Sequence, residues 1–219
     1  MSVKLNAVTP NPRQPLWVIG SGGLAKVIID ATRAADTFEV VGVLDDDPNK
    51  LGSQVLDVPV RGEVTPASIK QLGVTHAVIG IGATKVRAAI VERLGDALTW
   101  ATVIHPTAYL SPAATLGTGS VVLARAVVHP DASLGNHVIV NNSASVAHDV
   151  VIEDFGRIAP GAHLAGHVVV KRGAFVGIGA SVLPHRIVGV WAIVGGGAAV
   201  TRDVPDSATV VGVPAKKMQ

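Results

Sequence analysis

The chain has 219 residues, room for one large domain or two small ones. Apolar residues make up 48 % but aromatics only 3 %, so β-branched and small side chains must build the core, which suits thin stacked coils better than a helix bundle. Acids and bases are interspersed at a net charge of +2, which argues against nucleic acid; the absence of cysteine excludes disulfides and thiolate metal sites; and no apolar run approaches a membrane span, so a soluble cytoplasmic protein is expected.

Residues 1–15, with Pro10, Pro12 and Pro15, lack a signal-peptide core and read as a loose arm. LWVIG (16–20) is a short apolar run of the kind that makes a buried strand. SGGLAK is a glycine turn, and KVIIDATRAA places Val27, Ile28, Ala31 and Ala34 at helical spacing. EVVGVLDDD is a second strand ending in three acids. VTPASIKQLG and THAVIGIG read as helix and strand, ATKVRAAIVERLG as a further helix, and LTWATVIHP as one further strand. Residues 16–104 are thus expected to form a small Rossmann-like α/β domain with a parallel sheet.

Ligands of open parallel sheets sit beyond the carboxyl ends of the strands. Three loops should meet there: Gly20–Leu24, Asp45–Asp47 and Gly80–Lys85. Gly22 and Gly23 lead into a helix N-terminus, whose free N–H groups and positive dipole end favour phosphate; the same glycines also suit a tight turn and nothing more. Asp45 and Asp46 lie about twenty residues on, either as acceptors for ribose or base or as a solvated turn before Pro48. The spacing is not that of a dinucleotide redox fingerprint.

From Tyr109 to Val204 the chain divides into sixteen blocks of six, from YLSPAA to AVTRDV. The second place is Leu, Val or Ile throughout, and the sixth is small or Val except at Arg186. A period of six fits neither a helix nor a long flat strand; it fits a solenoid with flat sides and repeated corners. Each buried second-place aliphatic contributes roughly 1.5–3 kcal/mol, so sixteen together outweigh any local propensity. The junction is expected at His105-Pro106, with the solenoid filling 105–219 and its tail, DVPDSATVVGVPAKKMQ, closing the last coil.

A small α/β domain followed by hexapeptide repeats resembles the bacterial nucleotide-sugar N-acetyltransferases and the related sialic acid O-acetyltransferases. The motifs that carry the resemblance are IGSGGLAKVIIDA, LDDDP, IGIGATKVR, ASVAHDVVIEDFGRIAPGAHLAG, GIGASVLP, IVGGGAAV and VGVPAK. It implies a left-handed parallel β-helix with three hexads per coil. It also implies a homotrimer that holds acetyl-CoA between neighbouring solenoids, with no metal cofactor. The substrate would be the amino group of a UDP- or GDP-linked 4-amino-4,6-dideoxy sugar made for surface glycans.

The resemblance assigns His148 as general base, with Asp149 raising its basicity. Imidazole suits that work because its pKa lies near working pH. On a flat strand neighbours point apart, so the pair can touch only at a coil corner; taken alone, His148 reads as an exposed corner histidine. Arg157, Ile178 and Gly196 would hold the cofactor, Arg157 where some members have histidine. Gly22, Gly23, Leu24, Asp45, Asp46, Gly82 and Lys85 would hold the nucleotide sugar, Leu24 where members commonly have histidine. Lys216 and Lys217 read either as CoA-phosphate contacts or as a solvated tail.

Two other readings stay open. Sugar or sialic acid O-acetylation uses the same apparatus on a hydroxyl. A non-catalytic nucleotide-sugar scaffold would bind without cleaving the thioester. A zinc site of the hexapeptide carbonic anhydrase kind would need His163 and His167 together, but their hexad places put them on different parts of the coil.

Overall fold

A computed structural model describes residues 13–218, so the expected arm lies, through residue 12, outside the described residues. The chain is already strand from Gln14. Strand β1 (Gln14–Ile19), helix α1 (Gly23–Ala35), strands β2 (Phe38–Leu44), β3 (Gln54–Val55) and β4 (Val58–Gly62), helix α2 (Pro66–Leu72), strand β5 (His76–Ile79), helix α3 (Thr84–Leu94) and strand β6 (Thr99–Trp100) form the N-terminal unit. The sheet order is β3-β4-β2-β1-β5-β6, parallel except for the β3–β4 pair.

β1 reads as a continuous apolar run because both its faces are covered. Leu16 and Val18 pack with Ile28 and Ile29 of α1; Trp17 and Ile19 pack with Ile69 of α2 and Ile90 of α3. The first of these clusters continues into Val103, Val121, Leu123 and Ile139 of the solenoid, so α1 lies between the sheet and the first coils. One expectation needs correction. The run LTWATVIHP is two strands: β6 closes the sheet, whereas β7 (Val103–Ile104) pairs with Val121–Val122 as the first rung of the solenoid. The boundary placed between 104 and 105 therefore falls just after a rung. The β3–β4 hairpin was not expected; its turn takes Leu56 and Asp57 into positive φ.

Each of the sixteen hexads opens with a two-residue strand, from Tyr109–Leu110 to Ala199–Val200. Residue n pairs in parallel with n + 18, as Val121 does with Ile139 and Arg157 with Phe175. The result is the expected left-handed parallel β-helix. Face one runs from Val103–Ile104 through Arg157–Ile158 to Thr209–Val211, where Lys216–Lys217 adds an antiparallel strand. Face two contains Ser145–Val146 and His163–Leu164; face three contains Val151–Ile152 and Val169–Val170. Second-place aliphatics are buried from Val122 to Val200, while Leu110 and Leu116 in the first coil are half-buried. Arg186, the odd sixth place, turns its guanidinium outward to within 3.4 Å of Asp203. Most edges between faces carry a residue at positive φ, which lets the chain turn within two residues. No helix among the described residues is long and apolar enough to cross a membrane.

Candidate active site

The edge between faces two and three begins where the strand Ser145–Val146 ends. His148 stands at its turn, exposed, and Asp149 follows at φ 58°. That left-handed residue swings the carboxylate back onto the preceding ring. His148 Nδ1 lies 2.7 Å from Asp149 Oδ2, the contact a flat strand forbids. The hydrogen bond from His148 is the main cause that holds the Asp149 carboxyl below its ordinary range. With Nδ1 as donor, Nε2 keeps its lone pair. Gly166, one coil on, lies against this ring: a Cβ there would come within 2.9 Å of Nε2. The Gly166 N–H makes no backbone hydrogen bond among the described residues.

Sequence reasoning missed the company His148 keeps. His167 is one coil beyond Asp149, with Nε2 3.8 Å from Asp149 Oδ2 and its ring edge-on to His148 at 5.3 Å. His185 stacks on His167 at 4.7 Å. The signal was the spacing: 149, 167 and 185 are eighteen apart. His163 does stand apart from His167, on face two, where its Nδ1 lies 2.8 Å from Ser145 Oγ.

In the α/β unit the three loops do meet. Gly20 N donates to Leu44 O and Gly80 N to Ile19 O, each at 2.7 Å. Gly20 must be glycine: its φ is +97°, and a Cβ would sit 2.5 Å from Ile81. Gly22 and Gly23 differ, because a Cβ on either would meet nothing within 4 Å. Packing does not require glycine there. The α1 N-terminus beside them has no side-chain cap and no acid in its first turn, so its N–H groups are open to a ligand. Leu24 is half-buried and packs on the cluster around α1.

Asp45 ties the loops together, accepting from Ser21 N at 2.7 Å and Asp47 N at 2.9 Å. Burial works to raise its pKa, but these hydrogen bonds and the charge of Lys50 hold it below the ordinary value. Asp46 turns away from the first loop: it accepts from Val64 N at 2.9 Å and pairs with Arg93 at 2.7 Å.

Gly82 and Lys85, at the start of α3, line a cleft of about 420 Å³ with Arg157, Phe175 and Trp191 of the solenoid. Arg157 donates through Nη1 to Gly82 O at 3.2 Å, and its guanidinium lies 4.9 Å from the centre of the Phe175 ring. Residues expected at two different ligands thus share one wall, and no acid lines it. Burial lowers the Arg157 pKa. Ile178 and Gly196 sit at the opposite end of face one, at its edge with face two, stacked in consecutive coils; Ile178 is 65 % exposed. The aromatic pair Phe175 and Trp191 was not expected at any ligand.

The seam behind this cleft is held by Arg87 of α3. Its guanidinium is buried and donates to Gly82 O at 2.9 Å and to Phe155 O at 2.7 Å, with weaker bonds to Ile81 O and His137 O. Burial first, and then the Arg157 charge, push its pKa down to about 9, so it stays charged at neutral pH.

Comparisons with known proteins agree with this architecture. Residues 15–94 match the family described as the PglD N-terminal domain. No curated protein matches. A histidine-to-asparagine variant of perosamine N-acetyltransferase from Caulobacter crescentus, in complex with CoA and GDP-perosamine, is similar over 94 % of this chain and 97 % of its own, at 35 % identity and a TM-score of 0.88. The acetyltransferase domain of PglB from Neisseria gonorrhoeae, in complex with acetyl coenzyme A, is similar over 94 % and 100 % at 33 % identity and a TM-score of 0.85. WeeI from Acinetobacter baumannii follows over the same shares, at 25 % identity and a TM-score of 0.83. At these identities over nearly the full length, with the hexad register and the α/β unit in the same order, the chain belongs to the nucleotide-sugar N-acetyltransferases of the hexapeptide-repeat family.

Proposed function

We propose that the protein transfers acetyl from acetyl-CoA to the amine of a nucleotide-linked amino sugar, with His148 as general base. The acceptor class is a UDP- or GDP-linked 4-amino-4,6-dideoxy sugar for surface glycans, acetylated in the cytoplasm. The observation that carries this reading is the exposed His148–Asp149 pair at 2.7 Å, in a chain whose relatives hold CoA and GDP-perosamine. Asp149 accepts a hydrogen bond from the Nδ1–H and so keeps the Nε2 lone pair free. Nε2 takes a proton as the amine attacks the thioester carbonyl; the carbon–nitrogen bond forms, the carbon–sulfur bond breaks, and the imidazolium returns the proton to the departing sulfur, so that CoA leaves as the thiol. Asp149 offsets the charge that appears on the ring. The Gly166 N–H, which no backbone carbonyl takes and whose residue lies against the His148 ring, is the candidate donor to the oxyanion. With no cysteine in the chain, direct attack is favoured over an acyl-thiol intermediate.

The α/β loops hold the nucleotide sugar: Gly22, Gly23 and the α1 N-terminus at phosphate, Asp45 at the rim, Gly82 and Lys85 at the cleft. Asp46 and Leu24 support these loops from behind. Arg157, Ile178 and Gly196 contact the cofactor, Arg157 from the wall it shares with Gly82. The His148 edge is not part of face one, so no single prism brings the base to that cleft. A homotrimer resolves this, with the base of one chain meeting the cleft of the next.

The test is thiol release from acetyl-CoA with a panel of UDP-, GDP- and dTDP-linked 4-amino sugars and their hydroxyl counterparts. An amine acceptor should be preferred, and His148→Asn should lower turnover by about 10²–10⁴. Both ligands should still bind, as CoA and GDP-perosamine do in the histidine variants of the Caulobacter enzyme. Turnover within tenfold of wild type would remove His148 as the base.

A further inference from the structure

Asp149 has a neighbour that proton transfer does not need. His148, Asp149 and His167 offer two imidazole nitrogens and a carboxylate oxygen, all within 4.8 Å of one another. These are donor types that zinc-class divalent ions select. The carboxylate oxygen is 2.7 Å from His148 Nδ1 and 3.8 Å from His167 Nε2. A tetrahedral ion with bonds of about 2.0–2.2 Å needs its ligand atoms about 3.3 Å apart. The two separations straddle that value, each off by roughly half an ångström, which exposed side chains cover with small torsional changes.

The fold fixes the rest of the arrangement. His167 N donates to His148 O at 3.2 Å, so the two residues are in register across consecutive coils. His185 lies on the far side of the His167 ring, 4.7 Å away and within 7° of parallel, and limits the turning of that ring. All three ligands are about half exposed, which leaves a fourth position to water.

We propose that this edge binds a divalent ion of the zinc class and that the ion switches the base off. In the metal-free ring Nδ1 carries the proton and Nε2 the lone pair. An ion at Nδ1 takes a lone pair there, so the ring proton moves to Nε2, the atom that must accept a proton from the amine. Asp149 exchanges a hydrogen bond for a metal–oxygen bond, and His167 supplies its Nε2 lone pair. Nothing is oxidised, and no proton is lost from the neutral rings. The inhibition rests on His148 being the base; the binding does not.

The experiment uses the full chain, stripped with a chelator and titrated with Co2+, whose tetrahedral complexes absorb strongly in the visible. One equivalent per chain should give the band, Zn2+ should displace it, and Zn2+ should stop thiol release until chelator is added. His167→Asn, which suits the positive φ at this position, should keep basal turnover and lose the band. Its zinc inhibition should weaken by more than the roughly 10–100-fold that loss of an outer-shell partner costs. His148→Asn should lose the band as well. No saturable band in the wild type, or an unchanged band in His167→Asn, would overturn the site. A normal band with turnover unaffected by Zn2+ would overturn the switch. The cobalt signal needs no turnover, so it separates failure of the ion site from failure of His148 as base.

Discussion

His137 and His167 both occupy the fifth place of a hexad, at φ 55° and 59°. Their surroundings are opposite. His137, on the edge between faces three and one, is 4 % exposed, stacked on Phe155 at 5.2 Å and met edge-on by Trp100 at 5.0 Å. Burial, and then the Arg87 charge, push its pKa down to about 4. His167 stands uncovered beside Asp149 and His148. The repeat therefore dictates backbone conformation at an edge but not chemistry. What decides chemistry is whether the α/β unit covers the edge. Covered, an imidazole becomes neutral packing; uncovered and next to an acid, it stays open to solvent and ligands.

The largest test of this contrast is catalytic. His148→Asn should cost about 10²–10⁴ in turnover and little stability, whereas His137→Asn should spare the chemical step. A catalytic loss of equal size at both edges would erase the distinction. Next comes the device that keeps the covered edge covered. Arg87→Met leaves the Phe155 carbonyl without a donor and the Gly82 carbonyl with Arg157 alone, and should destabilise the fold by on the order of 3 kcal/mol. Arg87→Lys should recover little, because an ammonium cannot span carbonyls on two units as the planar fork does.

The third test is pH. His137 has a folded pKa below the ordinary 6.5, so its stability contribution is complete above about 6.5. It is lost as pH falls toward 4, because the unfolded chain takes up the proton first. The loss amounts to up to roughly 3 kcal/mol, and His137→Asn should flatten that part of the denaturation profile. A profile unchanged by the substitution would place the acid sensitivity elsewhere.

The sequence made the coils legible because one rule, an aliphatic at every sixth residue, repeats sixteen times. It also showed His148 and Asp149 as neighbours, and the corner they need follows from the same rule. Residues that meet across coils were harder. His167 could be found only by adding eighteen to 149. Arg87 looked like an ordinary helix-surface arginine in ATKVRAAIVERLG, since nothing local shows that a solenoid edge will close over it. Asp45 and Asp46 read alike as adjacent acids at a strand end. Yet one ties the phosphate-type loop and the other pairs with Arg93, because the chain bends just past the end of β2 and sends the two carboxylates to different neighbours. Phe175 and Trp191 read as hexad filler until face one met the α3 loop.

The smallest test lies where the cover ends. Phe155 is touched by two arginines: its carbonyl accepts from buried Arg87, and its ring carries the guanidinium of Arg172, 4.7 Å from the centroid. Arg172 is half exposed, and its pairing with Asp154 is long, at 3.5 Å. An exposed cation over a ring and an exposed ion pair contribute about 0.5–1 kcal/mol each at most, less in salt, so Arg172→Ala should move the unfolding midpoint only slightly. The two arginines share a residue and an edge and differ in whether water reaches them. If Arg172→Ala proved as damaging as Arg87→Met, coverage by the α/β unit would not be the variable that separates the two edges, and the stacked side chains themselves would have to be.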